Sequence, residues 1–284
     1  MTASAQPKPD ACPAFDAVQW DARATVLACR LVDGETLASV ENVIEEVPVA
    51  LVYNGISHAV MLASPNDLED FALGFSLSEG ILQSPGELYD CEVVHSAKGI
   101  EVSLEIAAAR MFGLKERRRN LAGRTGCGLC GVDSLEAAVR PPAPVAPRTA
   151  VRASAIQRAL AELNAWQPLH RATGAAHAAA WADDDGKLRL VREDVGRHNA
   201  LDKLAGALAT RRTNTADGFA LVTSRASYEM VHKAAAAGIG VLAAISAPTA
   251  FAVRVADAAH VTLIGLARTG RLTAYTHPDQ LLGT

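Results

Sequence analysis

Phe219-Ala220-Leu221-Val222-Thr223, Val241-Leu242-Ala243-Ala244-Ile245 and Val261-Thr262-Leu263-Ile264-Gly265-Leu266-Ala267 are three short apolar runs, their centres roughly 20 residues apart. Such runs suit strands covered on both faces. Between them lie Ala226 to Ala237 and Pro248 to Ala258, which carry helical periodicity. Strand, helix, strand, helix, strand in this rhythm predicts an α/β layer with parallel strands and right-handed crossovers.

Upstream of these runs, Ala175 to Ala182 and Lys187 to Val195 read as further strands, joined by Asp183-Asp184-Asp185-Gly186, and Ser154 to Trp166 reads as a capped amphipathic helix. The Pro cluster from Pro141 to Pro147 cannot continue a helix and marks the expected boundary between two halves. The first half begins as strands: Val26 to Val32 and Thr36 onward around Asp33-Gly34, then Val47 to Val52 and His58 to Leu62 around Asn54-Gly55. A helix follows, with Ser64 expected as its cap, Leu68, Phe71 and Phe75 on its apolar face, and Gly80 ending it. Cys91 to His95 and Ile100 to Ile106 form another strand pair. The division expected is a flexible lead over 1–22, an α+β domain over 23–147 and an α/β cofactor-binding domain over 148–284.

The 284 residues are half hydrophobic and one-fifth charged, a soluble globular composition. Lys and Arg number 27 against 31 Asp and Glu, giving −4, which argues against a nucleic-acid coat. No apolar run reaches the ~18 residues of a membrane helix. The N-terminus lacks the apolar core of a secretory signal, so the expected compartment is the cytoplasm. There thiols stay reduced, and the odd set Cys12, Cys29, Cys91, Cys127 and Cys130 argues against a disulfide framework.

In an α/β sheet, ligands sit beyond the carboxyl ends of the strands. The segments there are Glu193 to Asn199, Thr223-Ser224-Arg225, Ser246-Ala247 and Arg268-Thr269-Gly270-Arg271. Hydroxyls, glycines and cations beside helix N-termini suit a phosphate-bearing ligand. Taken singly, Ser224, Ser246 and Asn199 are as readily helix caps, His198 and Asp202 a helical pair, and His177 a core histidine.

The sharpest chemical feature is Arg124-Thr125-Gly126-Cys127-Gly128-Leu129-Cys130-Gly131. Glycines around the two thiols remove bulk and permit positive φ. Arg124 is a nearby cation that favours thiolate. Four readings stay open on these residues alone: two buried cysteines in a turn; half a zinc site completed by His95, His170 or His177; a thioredoxin-like dithiol; or a sulfur carrier whose thiolate takes sulfane sulfur as a persulfide.

The segment Thr125 to Gly131 resembles the C-G-x-C-G loop of the FdhD family of sulfur carriers. Glu46 to Gly55, Pro65 to Phe75, Glu79-Gly80-Ile81, Thr173 to Ala179, Asp194 to Lys203 and Ser224 to Glu229 are similar to other blocks of that family, in the same order. The likeness runs from about Thr36 to the C-terminus. Ala175 stands where the family pattern has a second Gly after Gly174. The resemblance implies a sulfurtransferase that receives sulfur from a cysteine desulfurase and delivers it to the molybdenum cofactor, a bis(molybdopterin guanine dinucleotide), for formate dehydrogenase. It also implies a homodimer and a C-terminal domain of the cytidine-deaminase-like, three-layer kind with a mostly parallel sheet. By the same likeness Cys127 carries the persulfide and Cys130 is its partner. The implied guanine-dinucleotide site takes in Asp194, Gly196, Arg197, His198, Asn199, Lys203, Thr223, Ser224, Arg225, Ser246 and Ala247, and the turn Leu266, Ala267, Arg268, Thr269, Gly270 and Arg271. No structural zinc, nucleic acid or membrane is expected. Deamination is not expected either: His177-Ala178-Ala179 lacks the Glu of H-x-E, and the cysteine pair precedes the His. Two alternative functions remain, a dithiol–disulfide oxidoreductase and a non-catalytic cofactor-binding chaperone.

Overall fold

The computed structural model describes residues 18–119, 142–146, 148 and 150–283. The chain opens with a hairpin, β1 (Arg23–Val32) and β2 (Glu35–Ile44). Asp33 and Gly34 both have positive φ at its tip, as a two-residue primed turn requires. β3 (Val47–Tyr53) and β4 (Ile56–Ala63) form a second hairpin around Asn54-Gly55. With β5 (Leu88–Ser96) and β6 (Gly99–Ile106) they make a four-stranded sheet in the order β4-β3-β6-β5, in which β3 and β6 run parallel. Helix α1 (Leu68–Ser78) covers one face of this sheet, and α2 (Ala108–Arg119) follows β6. Val49, Leu51, Phe71, Ala72, Val102 and Leu104 form the sealed centre of this core. A side chain such as Phe71 contributes about 2–3 kcal/mol by burial.

The expected cap is not used. Helix α1 starts at Leu68, and its N-cap Asp67 sits at φ 52 without a side-chain cap bond. Ser64 is instead fully buried: its N–H donates to Asp194 Oδ2 (3.0 Å) and its Oγ accepts from the Val195 N–H (3.0 Å). A tertiary partner 131 residues away, the Val195 N–H, took the hydroxyl that local sequence offered to the helix.

The C-terminal portion is built on a six-stranded sheet, ordered β13-β12-β11-β10-β8-β9. Its strands are β8 (His177–Asp183), β9 (Leu188–Asp194), β10 (Gly218–Val222), β11 (Val241–Ala244), β12 (Thr262–Arg268) and β13 (Arg271–Ala274). The parallel pairs are β10–β11 and β11–β12, at the centre; β8–β9, β8–β10 and β12–β13 are antiparallel. The sheet is therefore mixed, because hairpins supply its flanks while crossover helices supply its middle. Successive residues alternate faces. Ala220, Val222, Leu242, Ala244 and Leu263 pack under α5 (Arg197–Thr210), α6 (Tyr228–Ala236) and α7 (Ala250–Ala258). Phe219, Leu221, Val241, Ala243 and Ile264 pack against α3 (Ala153–Leu163) on the other side. That makes three layers. A short β7 (Val151–Arg152) precedes α3, pairs with β14 (Leu281–Leu282), and α4 (Pro168–Thr173) follows α3. No helix of the described residues is long and apolar enough to cross a membrane.

Helices α1 and α5 cross closely enough to join the two cores. A Cβ on Gly74 would lie 1.8 Å from the Asp202 carbonyl oxygen, and one on Gly206 would lie 1.9 Å from that of Asp70. Only glycine at both positions lets the backbones meet.

Candidate functional site

The carboxyl ends of β9, β10 and β11 and the start of antiparallel β8 fall on one edge of the C-terminal sheet. Its first turn, after β9, is fixed from beneath by a buried ion pair. Lys203 Nζ lies 2.7 Å from Asp194 Oδ2, and neither side chain is exposed. Asp194 Oδ1 accepts from the Gly196 N–H (2.7 Å) and Asn199 Nδ2 (2.9 Å), while Lys203 also donates to the Ser64 carbonyl (3.0 Å). Burial pushes the Lys203 ammonium below the usual lysine range, and the Asp194 carboxylate opposes that shift. Asn199 also donates to the Leu62 carbonyl (2.8 Å). The side chains of Asp194, Asn199 and Lys203 are thus spent on protein partners; their observed task is to hold the turn that carries Gly196 and Arg197. The expectation of a ligand site identified these residues as a group, but not this supporting geometry.

Arg197 is the first residue of α5, and Gly196, its N-cap, offers no side-chain oxygen to the exposed N–H groups. The Arg197 side chain is half-buried. Its Nε is shut off from water and has no hydrogen-bond partner among the described residues. A buried guanidinium N–H left unpaired is costly, and an anion at a helix N-terminus removes the cost. Beside it, His198 Nε2 lies 2.8 Å from Glu229 Oε2, so His198 pairs with Glu229 and not with Asp202. Burial alone would raise the Glu229 carboxyl; the His198 contact and the Lys233 and Arg197 charges outweigh it and hold it below its ordinary value. His177, opposite Asp194 at the start of β8, is held below the ordinary histidine value by burial first and then by the Arg197, His170 and His198 charges.

The next turns are adjacent copies of one geometry. Thr223 Oγ1 accepts from the Ala178 N–H (2.9 Å), Ser224 is buried with its Oγ donating to the Arg225 carbonyl (3.0 Å), and Arg225 is exposed with no ion pair among the described residues. Ser246 and Ala247 follow β11 in the corresponding place. Ala226 bridges Pro248, and the Thr249 N–H donates to the Ala226 carbonyl (3.0 Å). The Ser227 hydroxyl, at the start of α6, is buried without a partner among the described residues.

The segment from Leu266 to Arg271 stands apart from Arg197. The Leu266 N–H reaches the Ser246 carbonyl (3.1 Å), and Leu266 takes φ 50 inside a bulge of β12. Ala267 is buried; Arg268, Thr269, Gly270 and Arg271 are exposed in the β12–β13 turn, where Gln157 of α3 bonds the Arg268 carbonyl (2.9 Å) and the Gly270 N–H (3.0 Å). β9 and β12 are four strand spacings apart, roughly 19 Å at about 4.8 Å each. The edge thus gathers Arg197, His198, Thr223, Ser224 and Arg225 at one end and leaves the arginines of the β12–β13 turn at the other. A groove of ≈ 510 Å³ lies elsewhere, against Val191 to Glu193 of β9, lined by Asn66, Asp67 and Trp166 as well.

Two residues of this edge, Ser227 and Glu229, belong to the family-like block Ser224 to Glu229 but were not among the expected site residues. Glu229 is separated from His198 by 31 positions, and the only local signal is an acid in the first turn of a helix. Ser227 looks like an ordinary cap and makes no cap bond. Cys127, Cys130, Arg124 and Cys12 lie outside the described residues, as do the side chains of Lys115 to Arg119. Of the remaining cysteines, Cys29 is exposed, and Cys91 is half-buried with its thiol pushed up to about 11 by burial and the nearby Glu69 and Asp90. His95, a possible zinc ligand by sequence, accepts from the Trp20 N–H instead (3.2 Å).

Residues 44–282 match the model of the FdhD/NarQ family. The sulfur carrier protein FdhD of Cupriavidus necator is 60% identical over 248 residues, covering 87% of this chain and 86% of that protein. The sulfur carrier protein FdhD of Bordetella petrii is 55% identical over 241 residues, covering 85% and 87%. The fold is similar to the crystal structure of a protein from Desulfotalea psychrophila described as a formate dehydrogenase accessory protein, with a TM-score of 0.71 at 22% identity, over 92% of this chain and 99% of that one. With the family model spanning most of its length and relatives sharing more than half of its residues, the chain belongs to the FdhD/NarQ family.

Proposed function

We propose that this protein is a sulfur carrier of the kind its relatives are named for, acting as a sulfurtransferase toward the molybdenum cofactor of formate dehydrogenase. Cys127 thiolate attacks the terminal sulfur of a persulfide on a cysteine desulfurase. The bond between that sulfur and the donor cysteine breaks, the donor leaves as thiolate, and Cys127 holds the sulfur as a persulfide. Attack of Cys130 thiolate on the Cys127 sulfur then forms a Cys127–Cys130 disulfide and releases the outer sulfur as hydrosulfide. The dithiol supplies the two electrons, and the substrate takes the sulfur.

The substrate is a guanine dinucleotide of molybdopterin, which carries several phosphate charges. The observation that supports its place on the sheet edge is the half-buried, unsatisfied Arg197 at the head of a 14-residue helix, flanked by Arg225 and the hydroxyl-bearing turns. Phosphate oxygens fit these donors. The arginines of the β12–β13 turn lie at a distance suited to the far end of an extended dinucleotide. Assembly as a homodimer in the cytoplasm belongs to the same proposal.

Intact-protein mass measurement after incubation with cysteine and a cysteine desulfurase tests the carrier step. One added sulfur on the wild type, absent from Cys127→Ala, is expected. Sulfur retained in Cys127→Ala and lost only on changing Cys12, Cys29 or Cys91 rejects it. Restored formate dehydrogenase activity by Cys127→Ser in a deficient host would point to a cofactor-binding chaperone; catalytic reduction of a model disulfide would point to an oxidoreductase.

A further inference from the structure

Glu229 is an acid at an edge that is otherwise supplied with cations and hydroxyls. The Arg197 charge acts on it, and Arg225 lies four positions before it. A carboxylate in that place repels the phosphate-bearing ligand the edge is fitted for. Its position in the first turn of α6 suits the positive end of that helix, and Lys233, four positions on, is the partner that helical spacing offers it. That lysine is already taken. Lys233 Nζ lies 2.9 Å from both carboxylate oxygens of Asp202 and 3.0 Å from the Ser78 hydroxyl, at the crossing of α1 and α5. Glu229 turns to the neighbouring helix instead, and its Oε2 lies 2.8 Å from His198 Nε2.

His198 is the second residue of α5, directly after Arg197. Its Nε2 is shut off from water and faces no other hydrogen-bond partner among the described residues. About a quarter of each side chain remains exposed, 24% of His198 and 25% of Glu229, so the pair lies at the rim and not in the core. It ties the first turn of α5 to the first turn of α6.

Two polar atoms that are buried without a partner among the described residues stand on either side of this tie. Arg197 Nε belongs to the residue before His198, and the Ser227 hydroxyl to the residue two before Glu229. Ser227 is the N-cap of α6 and makes no cap bond. A guanidinium N–H and a hydroxyl, each at the positive start of a helix, are donors for the same kind of oxygen-rich group. They reach one group together only while the two helix starts are held side by side.

We infer that Glu229 is the positioning residue of this edge: through the His198 ring it holds the start of α5 against the start of α6, so that Arg197 and Ser227 meet one phosphate group of the ligand. The inference rests on the proposed guanine-dinucleotide site and adds to it the task of the acid.

The sign of one effect separates this role from a bystander's. A carboxylate that only sits near the ligand repels it, so its removal tightens binding. A carboxylate that positions the donors loosens binding when removed. Calorimetric titration of the full chain with GDP reads the sign. Glu229→Gln, which keeps the size and one acceptor oxygen but not the charge, is expected to weaken GDP binding about threefold, and Glu229→Leu, which keeps no acceptor, about tenfold. In a His198→Ala background neither change should weaken binding further, because the ring that Glu229 holds is gone. Where Glu229→Leu does not melt cooperatively, Glu229→Gln in the two backgrounds makes the same comparison. Unchanged or tighter binding in Glu229→Gln overturns the inference, as does an equal loss with and without His198, which marks an acid that only supports the fold. Those outcomes leave the site itself standing. A wild type that does not bind GDP overturns the site, and this inference with it.

Discussion

Gly74 and Gly206 each occupy the space under the other helix's backbone: the missing Cβ of Gly74 is replaced by the carbonyl oxygen of Asp202, four residues before Gly206, and that of Gly206 by the carbonyl of Asp70, four residues before Gly74. The reciprocity makes this crossing the joint between the N-terminal sheet and the C-terminal layers. Asp70 and Asp202 also bind cations from it, Arg192 at 2.6 Å and Lys233 at 2.9 Å. Gly74→Ala or Gly206→Ala forces backbone against backbone and is expected to cost about 1–3 kcal/mol or more. Thermal melting should show a fall of several degrees or more, and an unchanged midpoint would refute the crossing.

The Asp194–Lys203 pair gives a second test. Lys203→Met removes the one cation that bonds the buried Asp194 carboxylate among the described residues and should destabilise the fold by about 3–5 kcal/mol. Adding Asp194→Asn removes the stranded charge and should recover part of the loss. Urea titration of both single variants and the double variant measures the coupling; additive losses would show that the pair does not act as a unit.

Arg197 differs from those residues in that its Nε has no hydrogen-bond partner among the described residues. Arg197→Gln is therefore expected to leave the melting temperature unchanged and to weaken binding of GDP, a probe for the guanine-dinucleotide end, by about tenfold (~1.5 kcal/mol). Calorimetric titration decides it. Equal affinity in wild type and variant would remove Arg197 from the site.

His177 predicts a pH effect. The folded chain holds its ring below the ordinary 6.5, so the unfolded chain takes up the proton first as pH falls. Its contribution to stability is complete above about 6.5 and is lost as pH drops toward the folded value. A phosphate beside Arg197 offsets the positive surroundings and should raise the His177 value, so GDP binding takes up protons as the pH falls below the ordinary 6.5. Imidazole NMR titration with and without GDP reads both effects; a His177 value unmoved by saturating GDP counts against the site.

Cys91 should be chemically quiet. With its thiol near 11, its thiolate fraction at pH 8 is about 10⁻³, and alkylation should run about two orders of magnitude slower than at an unperturbed thiol. Peptide mapping after timed iodoacetamide treatment should find the exposed Cys29 modified well before Cys91. Comparable rates would mean that Cys91 is not shielded as described.

The amino-acid sequence alone determined the central strands and their covering helices, because apolar runs of strand length and helical periodicity are local patterns. It also determined both primed turns, at Asp33-Gly34 and Asn54-Gly55, where two consecutive positive φ values call for those residue types. The cations and hydroxyls at the strand ends were legible for the same reason: strand direction puts them there. Only the tertiary structure decided what each does. Ser64, expected to cap a helix, was drawn to Asp194; His198 paired with Glu229, not with its helical neighbour; Lys203 went beneath the turn, and the Arg197 Nε at its head has no hydrogen-bond partner among the described residues. These outcomes turn on partners 9 to 131 positions away, and a buried polar group bonds whichever partner the packing brings within 3 Å.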